Sequence, residues 1–285
     1  MTSQRYNVQY KAEVAKFTKK DGMLALCYFA YILALTFFLG FLLQSSIAAE
    51  LSNETLIFIN NVIRPIAMVL PCIVIIFVKK QGLSSIGIHK KNLGAALLLG
   101  LVFSAIALML YWGLLPGLIH GGQLRPIGEI IVQILTVTLV LAAWEDIVCS
   151  GFIQTRLHGL IKHNILAVFV GALIFAFIHF PAYILADFID PGHYRALNLI
   201  ISPRMIGWIG MHTIHNLLFR KYFSIFPVIM IHTFVNVSQG LLWEAPGVTG
   251  LNETVSFAII VLIVVAWAVY QVRKGESVKL PWTKK

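Results

Sequence analysis

The sequence has little charge. Only 12% of its 285 residues are Asp, Glu, Lys or Arg, where soluble domains carry about 25%. With 59% hydrophobic residues and a mean hydropathy of +0.84, this excludes a sizeable soluble domain and makes lipid the main solvent. Cysteine is scarce too. Cys27, Cys72 and Cys149 all lie in apolar stretches, and an odd count excludes a disulfide framework. Acid is scarcer than base, leaving a formal charge of +10. Yet the basic residues sit in short runs between apolar segments, and no nucleic-acid-binding motif is present, so nucleic acid is not the expected partner. There is no His-Glu-x-x-His, which excludes that common zinc-protease arrangement. Low-complexity segments, internal repeats and paired broken helices are also missing, which weighs against a transporter.

What is there is a series of long apolar runs. A spanning helix needs about 20 such residues. Eight spans are expected, at roughly 22–48, 55–78, 92–119, 127–157, 164–186, 198–219, 224–243 and 255–272. The fold class is therefore an all-α, polytopic transmembrane bundle. The first run is too long for a signal-peptide core; it follows a polar, Lys-rich leader, Met1 to Asp21. The fourth is long for a span and should tilt or protrude.

The basic residues fix an orientation. Of the 22, all but Arg64, Arg125, Arg195 and Arg204 fall on one side of these spans. The positive-inside rule makes that side, with both termini, cytoplasmic. The four arginines are expected on or near the opposite side, with the 187–197 loop.

Ionisable groups in a bilayer cost about 2.5–3.5 kcal/mol each on insertion scales, which makes them functional candidates. Four places hold them. Trp144-Glu145-Asp146-Ile147-Val148-Cys149-Ser150-Gly151 lies in the fourth span. Helical spacing puts Glu145 and Cys149 on one face, Asp146 and Ser150 on the next. Phe175 and His179 lie in the fifth span. His232 and Asn236 share a face of the seventh, and His212 with Asn216 repeats that spacing in the sixth. The adjacent carboxylates are hard to explain as packing; their bland alternative is a fourth span that ends early, with the acids among the headgroups. Taken singly, His179 is as readily a core histidine, and His232 with Asn236 an interhelical hydrogen-bonding pair. At 1.5 Å per residue, Glu145, His179, His232 and Asn236 fall about 12–22 Å in from the basic ends. They should share one mid-membrane cavity. His212, close to Arg220-Lys221, is expected nearer the surface and apart from it.

A carboxylate and an imidazole in a low-dielectric site can activate water. A second His with an Asn can donate to a developing oxyanion. Two His and a carboxylate also match catalytic zinc sites. Cys149 as a nucleophile is disfavoured, since nothing in the sequence activates it.

The order and spacing of these residues resemble the CPBP family, the CAAX proteases and bacteriocin-processing enzymes also called Abi. Its motif Glu-Glu-x-x-x-Arg is similar to Glu145, Asp146 and Ser150, with Gly151 where a Gly often follows. Its Phe-x-x-x-His is met by Phe175 and His179, and its His-x-x-x-Asn by His232 and Asn236; the approach Phe226 to His232 is similar as well. The resemblance covers roughly 120–245. It implies an intramembrane endopeptidase in which Glu145 and His179 activate water while His232 and Asn236 form the oxyanion pocket. Asp146, Ser150 and Phe175 would support them. A metal, if used, would be a divalent ion such as zinc on Glu145, His179 and His232; a metal-free glutamate mechanism is the other option. Two positions depart from the motif together: Asp146 replaces its second Glu and Ser150 its Arg. An Asp–Ser hydrogen bond would be the compensation, and Arg156 lies too far along the helix to stand in.

The expected organisation is a leader at 1–21, accessory spans at 22–119, the protease-like core at 120–245, and a last span with basic tail at 246–285. The expected partners are the bilayer and a peptide or lipidated protein substrate. The setting is the cell membrane, with short loops that suit a bacterial plasma membrane. The alternatives are a non-catalytic relative serving as scaffold, regulator or bacteriocin-immunity factor, which Ser150 favours, and a proton-coupled transporter.

Overall fold

Lipid leaves a backbone few choices other than helix, because every N–H and C=O must be satisfied within the segment. The structure, a computed structural model, describes residues 4–44, 50–90, 93–106, 118, 123–189, 194–200, 202–238, 242–243 and 266. Its elements are α1 (Gln4–Val14), α2 (Lys19–Gln44), α3 (Asn53–Val78), α4 (Leu93–Ile106), α5 (Ile127–Leu157), α6 (Asn164–Phe177), α7 (Phe180–Ile189), α8 (Arg195–Ile200), α9 (Pro203–Tyr222) and α10 (Phe226–Ser238). Among the described residues, four helical stretches are long and apolar enough to cross a membrane: Lys19–Leu43, Asn53–Val78, Ile127–Leu157 and Asn164–Ile189. The helical, multi-pass reading holds; Gln123–Leu124 and Leu242–Trp243 add a two-residue antiparallel strand pair. The proposed eighth span, 255–272, lies outside the described residues except for residue 266, and the third is described mainly over α4.

Local signals start these helices. Ser52, His163 and Ser202 each cap an N-terminus by accepting a backbone N–H, from Thr55, Leu166 and Met205. Pro203 then occupies the first turn of α9, where its missing N–H costs nothing.

One end of the bundle is tied by polar contacts. Lys79 Nζ reaches Asp21 Oδ1 at 2.8 Å. Buried Arg156 donates to Gln81 Oε1 at 2.6 Å and Ser85 Oγ at 2.9 Å. Its guanidinium lies over Phe17 and Phe152, 4.6 and 4.4 Å from their centroids. Arg156 therefore ties α5 to the turn after α3, leaving the site to other residues. Gly151 lets α5 approach that turn closely, since a Cβ there would sit 3.1 Å from Ile86 O.

The polar leader is largely helical and docked. Tyr10 is fully buried, edge-on to Phe219 and Phe223. Its hydroxyl lies 3.0 Å from His158 Nε2. Burial, aided by Arg220 and Lys162, pushes the His158 imidazole down to about 4, so it is neutral at pH 7.

Helix α9 is too polar to face lipid and is enclosed instead, packing along α6 and against α10. His212, His215, Asn216 and Arg220 are all buried there, which is how a bundle accommodates such residues. The sixth expected span thus divides at Ser202 into α8 and α9. The fifth divides as well. Pro181 has no N–H for the Phe177 carbonyl, and the chain breaks at Ile178–His179 before α7 resumes.

Helix α5 is not uniformly α. Val137–Ala142 and Ile147–Ile153 are π-wound, flanking the four α-helical residues Ala143–Asp146. Such wide turns concentrate at functional sites.

Candidate active site

The carboxylates of α5 point inward. Glu145 and Asp146 are both buried, and His232 of α10 lies between them. His232 Nε2 is 3.5 Å from Glu145 Oε2, and His232 Nδ1 is 3.1 Å from Asp146 Oδ2. The second oxygen of Asp146 faces α9, where His215 Nδ1 lies 3.6 Å from Oδ1.

His179 is set by the helix break. In a continuous helix the Phe175 carbonyl would accept the His179 backbone N–H. Here that N–H turns to Ala176 O at 3.3 Å, and the His179 ring takes its place, with Nδ1 3.1 Å from Phe175 O. A carbonyl only accepts, so Nδ1 carries the proton and Nε2 keeps its lone pair. The ring stacks on Trp208, centroids 4.3 Å apart.

Glu145 and His179 line one cavity of about 160 Å³, with Thr36, Arg64, Met68, Trp144, Ile178, Ala182, Tyr183 and Trp208. They are joined through this space. Phe175 is the spacer behind it: its ring meets His179, His212 and His232 at centroid distances of 5.1, 4.0 and 5.8 Å. Asn236 lies one turn beyond His232. Its Nδ2 is buried with no hydrogen-bond partner among the described residues.

Two sequence expectations fail here. His212 is not apart from the centre: it is fully buried, stacked on Phe175 and 5.6 Å from the His215 ring. Its nearness to Arg220-Lys221 along the chain misled, because α10 and α5 close over it. Nor does Ser150 bond to Asp146. Ser150 Oγ donates to Asn216 Oδ1 at 3.0 Å and lies 3.3 Å from His212 Nε2, while Asn216 Nδ2 donates to Val168 O at 3.3 Å. The π winding between Asp146 and Ser150 holds more residues per turn than an α-helix, and it turns Ser150 toward α9.

His215 is the residue that sequence reasoning missed. Its signal was present as His212-x-x-His215-Asn216, three polar groups on one helical face. Donor atoms of Asp146, His215 and His232 all lie within 4.8 Å of one another. Asp146 Oδ1 and both ring nitrogens of His215 are buried without a hydrogen bond among the described residues. Orphaned donors of this kind fit a divalent cation, and one carboxylate with two imidazoles matches a catalytic zinc set. Of the metal trio expected from sequence, His232 belongs to this group. Glu145 stands on its other side, and His179 lies across the Phe175 ring.

These features define a multi-pass integral membrane protein with a buried carboxylate–imidazole centre. Residues 127–238 match the family described as type II CAAX prenyl endopeptidase, Rce1-like, and that stretch is a domain of this family. The match runs from α5 to α10 and holds every site residue named above except those contributed to the cavity by α2 and α3. No curated protein matches the chain.

Proposed function

We propose that the protein is an intramembrane endopeptidase of the CAAX-protease and bacteriocin-processing type, acting on a peptide or lipidated protein at the membrane. The observation that carries this reading is the cavity lined by both Glu145 and His179, with His232 3.5 Å from Glu145. Water held there loses its proton to Glu145 or His179 Nε2 as its oxygen attacks the carbonyl carbon. His232 and Asn236 donate to the oxyanion; the unpartnered Asn236 Nδ2 suits that role. The C–N bond then breaks, and the proton passes to the departing amine. Asp146 orients His232 through its Nδ1. A divalent ion such as zinc, when bound at Asp146, His215 and His232, would supply Lewis-acid polarisation.

The family description extends to a prenylated CAAX peptide as the first substrate to try. Purified protein in liposomes should cleave it, and Glu145→Gln and His179→Ala should each lose about 10²–10⁴-fold in turnover. If both variants fold and retain full wild-type cleavage, the hydrolytic reading fails. The basic-residue asymmetry further supports eight spans with both termini cytoplasmic, and the short loops suit a bacterial plasma membrane. The buried Ser150–Asn216–His212 network, in place of the motif arginine, favours a second reading: a folded relative without catalysis, serving as scaffold or immunity factor.

A further inference from the structure

Arg64 lies outside the family-matched stretch, yet it lines the same cavity as Glu145 and His179. The sequence put it on or near the side opposite the basic runs. The fold puts it deeper. Lys79, fifteen residues on, is anchored to Asp21 at the basic end, and at 1.5 Å per residue Arg64 stands about 22 Å from that layer. Glu145, counted from anchored Arg156, stands about 16 Å in. Arg64 is therefore a mid-membrane cation, which insertion scales penalise by about 2.5–3.5 kcal/mol.

Among the described residues Glu145 couples to it electrostatically, but only at longer range. No described carboxylate lies within ion-pair distance. Its one hydrogen bond is a long one, 3.4 Å from Nη1 to Asn60 Oδ1, and its Nε is buried without a partner. The guanidinium carbon sits 5.8 Å from the Trp144 ring. Glu145, on the same wall, is engaged at 3.5 Å with His232. A guanidinium on the wall of a partly open cavity, with no carboxylate in contact, fits an incoming carboxylate, which it can hold through paired N–H donors.

We propose that Arg64 binds the C-terminal carboxylate of the substrate, placing a chain end in the cavity beside Glu145 and His179. The size supports an end: about 160 Å³ takes a few side-chain-sized groups, not a strand continuing in both directions. Under the hydrolytic reading, on which this builds, the scissile bond lies close to the C-terminus. Substrates are then selected by a free carboxylate as well as by apolar side chains against Trp144, Tyr183 and Trp208.

The test is binding, separated from turnover. The full chain carrying Glu145→Gln is placed in phosphatidylcholine nanodiscs. Two fluorescein-labelled prenylated CAAX peptides are titrated, identical except that one ends in a carboxylate and the other in an amide. The acid should bind about tenfold more tightly, and Arg64→Gln should abolish that preference. Arg64→Lys, which keeps the charge, should retain part of it, and serves where the Gln variant fails to fold. Equal binding of acid and amide, as when lipid phosphate occupies Arg64, overturns the proposal. So does a preference that survives Arg64→Gln, or no saturable binding of either peptide. Cleavage of the acid peptide by the unmutated chain is read separately: a preference without cleavage keeps the Arg64 site and removes the peptidase.

Discussion

The His212 imidazole lies flat on the Phe175 ring, centroids 4.0 Å apart and planes within 3°. This contact links α9 to the Phe-x-x-x-His segment of α6. It also explains how one aromatic ring can sit against three histidines: His212 covers its face, and His179 and His232 meet it at steep angles. Phe175 thereby spaces the α6, α9 and α10 imidazoles around the two carboxylates of α5.

That arrangement bears on Ser150. Ser150→Arg should not restore an ion pair with Asp146, because Ser150 faces His212 and Asn216. An uncompensated buried charge costs about 3–5 kcal/mol, so the variant should unfold at a clearly lower temperature in detergent, with no gain in activity. Adding Asp146→Glu with His212→Ala and Asn216→Ala makes room and should recover part of the loss. A single Ser150→Arg protein as stable as the parent would contradict the described packing.

The proposed cation site has its own measurement. Titration of the purified protein with cobalt or zinc, read by spectroscopy or calorimetry, should show one site. His215→Ala and Asp146→Asn should weaken it by at least tenfold, while Glu145→Gln leaves it within a few-fold, since Glu145 stands outside the close donor group. Affinity that ignores His215 removes that residue from the ligand set.

Docking of α1 should depend on pH. His158 is held at about 4 against an ordinary 6.5, so the undocked state takes up the proton more readily. Docking is therefore strongest above about pH 6.5, weakens as pH falls toward 4, and changes little below that. Limited proteolysis at Lys11 and Lys16 should accelerate across that window. Tyr10→Phe removes the hydroxyl from His158 Nε2 at 3.0 Å and should loosen α1 at pH 7 by about 1–3 kcal/mol. Proteolysis that is flat with pH would show that this contact does not control the helix.

Topology is checked by fusion. Reporters at either terminus should score cytoplasmic, and one inserted in the 187–197 loop should score external. A terminus scoring external would reverse the orientation inferred from the basic residues.

Much of this was legible in the sequence, for identifiable reasons. Apolar run length marked the long helices, because lipid allows little else. Glu145, Asp146, His179 and His232 stood out because charge is rare in such runs. What stayed hidden depends on winding and enclosure. The break at His179 follows from Pro181, two residues on, but an apolar window reads through it. The π turns leave no periodic trace, so Ser150 was assigned to Asp146's face. His212 and His215 sit seven and four residues from Phe219, near the tied end; only the closure of α5 and α10 over α9 makes them interior. Arg64 was set on or near the opposite side because it falls outside the basic runs, although α3 is one long helix that carries it to mid-depth.

The wide turns on either side of Glu145 and Asp146 have a consequence for how the centre can change. A π turn is an α turn holding a surplus residue. Deleting one residue within Ile147–Ile153 would let that turn relax to ordinary winding with everything beyond it still on its present face; relaxing without the deletion would rotate everything beyond by about 100°, without altering a single catalytic side chain. In that second case Arg156 would swing off Gln81 and Ser85. The α5 helix thus behaves like a text with a reading frame: the wide turn keeps its two ends in phase despite the surplus residue.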